Sequence, residues 1–222
     1  MNTQRLEHTI KRFDAELQRL TREIADMGDA ALAQIARALQ ALEQRDAAEA
    51  RRVIEGDDAI DSREREISHE VLRVLALRQP GARDLREVLA ALRIASDIER
   101  IADHAVAIAR LSLAMPAGTT PLPENLRALG VLTCDIVHEV LRAWRAADAA
   151  LAHAAWRRDD ELDRMHAQFF HDMLIRMREA PSEASWCTHL LFVAKNLERI
   201  GDHATNVAEN VWFVVEGEPG LS

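Results

Sequence analysis

Apolar positions recur along the chain at alternating steps of three and four residues, the spacing of one face of an α-helix. Phe13, Leu17, Leu20, Ile24 and Met27 open the series, and Ile35, Leu39 and Leu42 continue it. The phase is lost near Arg45 and Asp46, after which Val53, Ile60, Ile67, Val71 and Val74 define a second run. A third starts after Gly81, where Asp84, with Glu87 three residues on, reads as an N-cap in a capping box. The same order then returns. One helix is predicted from Asn125 to Trp144, one from Asp148 to Arg178, and one from Ser182, placed as an N-cap after Pro181, to Val215. The expectation is six helices, three per half.

Pro and Gly punctuate the same scheme. Pro80-Gly81, the stretch 115–125 and Pro181 interrupt the periodicity, and Pro219-Gly220 closes it. The middle stretch holds three of the six prolines and is the predicted linker between halves. The expected organisation is a first three-helix repeat over 1–115, a linker over 116–124, a second repeat over 125–216 and a tail over 217–222.

The halves are copies. A shift of 102 residues superposes Gly28 on Gly130, Leu39 on Leu141, Asp46 on Asp148 and Asp57-Asp58 on Asp159-Asp160. A shift of 99 superposes the third helices, with Asp97, Glu99, Arg100, Ile101, Asp103 and His104 meeting Asn196, Glu198, Arg199, Ile200, Asp202 and His203. The fold class expected is therefore all-α, two tandem three-helix bundles related by internal duplication. Polar residues that both copies keep call for a reason beyond packing.

Composition narrows the function. With 8 Gly, 6 Pro and no Tyr among 222 residues, the chain is poor in the turns that sandwiches, barrels and Rossmann sheets require. A net charge of −9, from 28 basic and 37 acidic residues, argues against nucleic acid as a partner. Cys134 and Cys187 form no CxxC pair, which suits a reducing cytoplasm rather than a disulfide framework or zinc ribbon. The charged first residues show no secretory signal, and no run of ~18 apolar residues suggests a membrane span.

The copied polar residues are carboxylates. Asp57 and Asp61, and again Asp159 and Asp163, form DxxxD pairs one helical turn apart. Glu99 with Asp103, and Glu198 with Asp202, form ExxxD pairs expected opposite the stripes Ile94–Ile108 and Val193–Val207. Glu64 and His166 extend the DxxxD faces, and His104 and His203 follow the last Asp of each ExxxD. Like charges at this spacing cost a helix a few tenths of a kcal/mol, a cost that a bound cation removes. If the second and third helices of a half lie antiparallel, the two pairs face each other as an oxygen-rich site suited to Mg²⁺, Mn²⁺ or iron. In a chain this acidic a single such pair is more often a solvated face, and Arg100 and Arg199 offer a metal-free way to neutralise the acids. A histidine hydrogen-bonded between helices is the plainer expectation for His104 and His203.

The segments SDIERIADHAVAIA (96–109) and KNLERIGDHATNVA (195–208) resemble the signature of the PhoU family of phosphate-specific transport accessory and regulatory proteins. The resemblance runs from about Arg5 to Val215 and includes the duplicated layout and the DDxxD of both second helices. It implies two three-helix bundles without catalytic activity, acting as a cytoplasmic negative regulator of the phosphate-starvation response. It further implies partners in a sensor histidine kinase and the ATPase subunit of a phosphate ABC transporter, a homodimer, and membrane contact only through those partners. It also implies multinuclear metal clusters of iron, zinc, manganese or magnesium. Carried over residue by residue, the ligands are Asp57, Asp61, Glu99, Asp103, Asp159, Asp163, Glu198 and Asp202. Two departures stand out: His166 in place of Glu64, and Asn196 in place of Asp97.

Two other classes compete. A carboxylate-bridged di-metal oxidoreductase would place ExxH on each of two helices. Here neither ExxxDH nor DxxH, from Asp163 to His166, supplies that twice on matching helices. An inert helical scaffold would bind no specific metal. A phosphate-binding enzyme lacks support, since there is no Gly-rich phosphate loop, Walker A or nucleophile elbow.

Overall fold

The computed structural model describes residues 2–78, 80–116, 120–218 and 220–221, with side chains from residue 13 onward. Of the predicted boundaries, Met1, residues 117–119 of the linker, and Pro219 and Ser222 of the tail lie outside the described residues. Eight α-helices are present among the described residues: α1 (Asn2–Gln44), α2 (Ala47–Glu55), α3 (Asp57–Arg78), α4 (Ala82–Ala114), α5 (Glu124–Ala146), α6 (Ala149–Arg157), α7 (Asp159–Glu179) and α8 (Ala184–Glu216). No strand occurs among those residues. Helix α1 alone has 43 residues, about 65 Å at the helical rise.

The expected second helix of each half is two helices, joined at Gly56 in one copy and Arg158 in the other. Both joining residues keep right-handed helical dihedrals (φ −75°, ψ −11° and φ −72°, ψ −13°), so the apolar phase passes through the breaks unaltered. The breaks make Asp57 and Asp159 the first residues of α3 and α7.

Two of the expected caps fall elsewhere. Gly81 in extended conformation starts α4, which places Asp84 inside the first turn. Pro181–Glu183 form a 3₁₀ turn, so Ser182 precedes α8 instead of capping it. The repeated aspartates do cap: Asp46 accepts from the N–H groups of Ala48 and Glu49, and Asp148 from that of Leu151, all at 2.9 Å. Each cap contributes about 1 kcal/mol.

Each half is a helical unit in which the long last helix, α4 or α8, packs against all the others of that half. The predicted stripes are buried, among them Leu20, Ile24, Ile67, Ile98, Ile101 and Leu197. The halves share one hydrophobic core, because α4 makes its most extensive contact with α8 and α1 lies on α5. The residues that superpose between copies also build this junction. Gly28 on α1 seats Leu141 of α5, and Gly130 on α5 seats Leu39 of α1. A Cβ at Gly28 would stand 2.3 Å from Leu141 Cδ2, which is why the position holds glycine. No described helix is long and apolar enough to cross a membrane.

Candidate metal centres

Because α3 packs on α4 and α7 on α8, each DxxxD pair is carried to the ExxxD pair of its own half. The ExxxD pairs sit at the margin of the core and not opposite it. Glu99, Asp103, Glu198 and Asp202 are all half-buried, since the neighbouring helix covers their side of α4 or α8.

The electrostatics show which carboxylates share a field. Burial raises Asp57 above its ordinary value, the Gln34 hydrogen bond opposes the rise, and the charges of Asp61 and Asp103 add to it. Glu99 is raised by burial and by Asp103, with smaller contributions from Asp61 and Glu64 and opposition from Arg100. In the second half Asp159 is pushed up to about 6, chiefly by burial, then by Asp163, Asp202, Asp160 and Glu198. Asp202 is raised by burial, then by Glu198, with Arg199 and Lys195 opposing. All eight motif carboxylates thus fall into two clusters, one per half, with Glu64 in the first. His166 lies half-buried on α7, the helix of Asp159 and Asp163.

The carboxylates on α4 and α8 carry their own counter-ions. Arg100 reaches Asp103 at 3.0 Å and Glu99 at 3.4 Å. Lys195 reaches Glu198 at 2.5 Å, and Arg199 reaches Asp202 at 3.3 Å. Asp57, Asp61, Asp159 and Asp163 make no ion pair among the described residues. As the side chains stand, no group of three His, Cys, Asp or Glu among the described residues encloses a metal position.

Two observations bear on whether the clusters fit a cation. The donor sets are carboxylate oxygens with no thiolate, the chemistry of hard or borderline ions. Asp159 Oδ1 is buried without a hydrogen-bond partner, a costly state for an ionised oxygen that a cation would relieve. The residues fit such an ion, and rotation of the half-buried side chains is what closing a shell around it would require.

The histidines serve a different junction. His104 Nδ1 lies 2.9 Å from Asn196 Oδ1, and His203 Nδ1 lies 2.9 Å from Asp97 Oδ1. The two rings stack with centroids 5.7 Å apart. Asn206 donates to the same Asp97 oxygen at 3.1 Å. Asp97 and Asn196, at which the two copies differ, are therefore the partners that tie α4 to α8, each helix supplying one histidine and one acceptor. An apolar cleft of about 390 Å³ between α1 and α5, lined by Leu39, Leu42, Leu126 and Cys134, contains none of the motif carboxylates. Burial pushes the Cys134 thiol up to about 11, which keeps it protonated and unreactive.

One residue at the first cluster escaped the sequence reading. Gln34 is buried on α1, and its Nε2 donates to Val53 O at 3.1 Å and to Asp57 Oδ1 at 3.4 Å. A signal was present: it is a polar residue on the apolar side of α1, where the copy 102 residues later has Ile136.

Comparison with known proteins agrees with the repeat. The model of the PhoU domain matches residues 24–112 and again 126–211. A phosphate-specific transport system accessory protein PhoU homolog from Xylella fastidiosa (strain 9a5c) is 48% identical over 223 residues, covering 100% of this chain and 94% of its own. The homolog from Caulobacter vibrioides (strain NA1000 / CB15N) is 40% identical over 214 residues, 96% of this chain and 93% of its own. Among solved structures, the phosphate transport system regulatory protein PhoU from Streptococcus pneumoniae superposes with a TM-score of 0.89 at 27% identity, covering 95% of this chain and 100% of that one. PhoU from Pseudomonas aeruginosa gives 0.87 at 34% identity, with 93% and 100% covered. With the duplicated bundle, both signature segments and full-length relatives in agreement, this chain belongs to the PhoU family.

Proposed function

We propose that this chain is an accessory protein of a phosphate-specific transport system, acting as a negative regulator of phosphate uptake and of the phosphate-starvation response. Its work is contact, not catalysis. It bridges the ATPase subunit of a phosphate ABC transporter and a sensor histidine kinase, in the cytoplasm and as a homodimer. The observation that carries this reading is the relationship over the whole chain, at 48% identity, to a protein named for that accessory role. The absence of a membrane-crossing helix among the described residues is compatible with reaching the membrane only through partners.

The same reading assigns metal ions to the clusters. Asp57, Asp61, Glu99 and Asp103 hold one set, with Glu64 at its edge. Asp159, Asp163, Glu198 and Asp202 hold the other, with His166 at its edge. The ions are iron, zinc, manganese or magnesium. A bound cation supplies charge neutralisation, letting the acids of α3 and α4, or of α7 and α8, stay ionised side by side. The orphaned Asp159 oxygen supports this assignment.

A deletion strain tests the regulatory role. Deletion should give alkaline phosphatase output in high phosphate, and the wild-type gene should restore repression. Repression that persists in the deletion strain refutes the reading. Binding of the chain to the kinase and to the ATPase, measured before and after chelation, tests the ions: affinity that survives complete chelation removes them from the signalling contact.

A further inference from the structure

We propose that Gln34 is a positioning residue that makes the two carboxylate clusters inequivalent, holding Asp57 ready for a divalent cation while its counterpart Asp159 has no such support. The inference rests on the metal reading above and deepens it.

Gln34 is 5% exposed, and among the described residues it and Thr133 are the buried polar side chains. Thr133 spends its hydroxyl within its own helix, on Leu129 O at 2.9 Å. Gln34 reaches across to another helix instead. Its amide bonds Val53 O in the last turn of α2 and Asp57 Oδ1 at the first residue of α3, and so spans the break at Gly56. The arrangement leaves Gln34 Oε1 buried without a partner, a penalty that a hydrocarbon at this place would avoid. The second copy has the hydrocarbon, since the equivalent position is Ile136, which is fully buried.

The consequence falls on Asp159. Its Oδ1 is buried and unpartnered, and it presses on α8 at Gly201, where a Cβ would stand 3.2 Å from it. In the first copy that glycine is Ala102. The same aspartate thus meets a donor in one half and hydrocarbon in the other. Carboxylates that bind metal are themselves oriented by hydrogen bonds, and losing such a partner weakens affinity roughly 10–100-fold. The first-half cluster is therefore the tighter one.

The full-length chain, stripped of metal with chelator, is titrated with Mn²⁺ while the electron paramagnetic resonance signal of free Mn²⁺ is followed. Two classes of site separated by about tenfold or more are expected. Asp57→Asn should abolish the tight class and Asp159→Asn the weak one. Gln34→Met, which keeps the length but not the amide, should weaken the tight class by about 10–100-fold and leave the weak class unmoved. A general loss of structure would move both. Should Gln34→Met fail to fold by circular dichroism, the comparison of Asp57→Asn with Asp159→Asn still assigns the classes. Equal sites in the wild type, a tight class that survives Asp57→Asn, or a folded Gln34→Met with unchanged binding each overturns the proposal and leaves the metal reading standing. No Mn²⁺ bound to either half overturns the metal reading and the proposal with it.

Discussion

Replacing Gly28 by alanine tests how the two halves are joined. The added Cβ would lie 2.3 Å from Leu141 Cδ2, 2.9 Å from Cδ1 and 3.1 Å from Cγ, against about 3.5–4.0 Å for relaxed carbon contacts. A methyl rotation cannot relieve a contact that includes Cγ, so the whole Leu141 side chain must withdraw. At 1% exposure it has no open space to enter. Overpacking of this kind costs about 1–3 kcal/mol, and alanine returns about 1 kcal/mol of helix propensity over glycine. The net loss is about 1 kcal/mol at the centre of that range, or roughly 2–4 °C in Tm for a chain of this length. The mirror substitution is the control. At Gly130 the nearest atom is Leu39 Cδ1 at 2.9 Å and Cγ is already at 3.7 Å. Leu39 is half-buried and borders the apolar cleft, so it has room to yield. Gly130→Ala should stay within about 2 °C of wild type. Thermal unfolding by calorimetry or circular dichroism reads both. In a Leu141→Ala background the Gly28→Ala penalty should vanish. A Gly28→Ala protein as stable as Gly130→Ala, or a penalty that survives Leu141→Ala, refutes the reciprocal glycine–leucine junction.

Asp159 sets a pH dependence. Its folded value of about 6 exceeds the ordinary 3.8, so the folded state holds more protons between those values. Stability from this site is present at low pH and is lost as the pH rises through that window. In chelated protein Asp159→Asn should therefore raise Tm at neutral pH and change it little near about pH 4; equal shifts at both would contradict the assignment. Mn²⁺ at about 100 times its Kd should stabilise the wild type by about 2.7 kcal/mol, which is roughly 5–11 °C. Glu99→Gln/Glu198→Gln should lose at least half of that rise in a thermal-shift assay, and an undiminished rise would place the ions elsewhere. Asp97→Ala strips the acceptor from both His203 and Asn206 and should cost about 1–3 kcal/mol in denaturant unfolding. Asp97→Asn should recover most of it by keeping an oxygen at that place.

The helices and their duplication were legible because burial writes the 3–4 spacing directly into the chain. The breaks at Gly56 and Arg158 were not, because both residues stay helical in dihedral angle and Val53 to Ile60 keeps phase across one of them. The N-cap assigned to Asp84 failed because Gly81, extended at φ −69° and ψ 174°, starts the helix earlier without a side-chain cap. Ser182 was displaced by the 3₁₀ turn that Pro181 begins. In the site, the copied carboxylates were readable as motifs, and their gathering into two clusters follows from which helices pack together. Gln34 was hidden for the opposite reason. Its significance lies in a difference between copies, whereas duplication draws attention to what they share.

The distribution of counter-ions explains how the sequence tolerates so many acids at like-charge spacing. On α4 and α8 each ExxxD pair is interleaved with bases on the same helix, Arg100 in one copy and Lys195 with Arg199 in the other. On α3 and α7 the aspartates have no ion pair among the described residues, and the first of each pair stands at a helix start. Each cluster therefore joins a helix that neutralises itself to one that does not. The bases are held loosely: Arg100 and Arg199 are 57% and 53% exposed in their pairs, and pairs of that exposure are worth under about 1 kcal/mol. A cation entering there would displace them at little cost, and would meet aspartates on α3 and α7 that have no ion pair among the described residues to surrender. The same feature predicts that charge reversal at Arg100 or Arg199 acts mainly on cation affinity and hardly on folding, because the free energy at stake in each exposed pair is small compared with that of the buried junction between the halves.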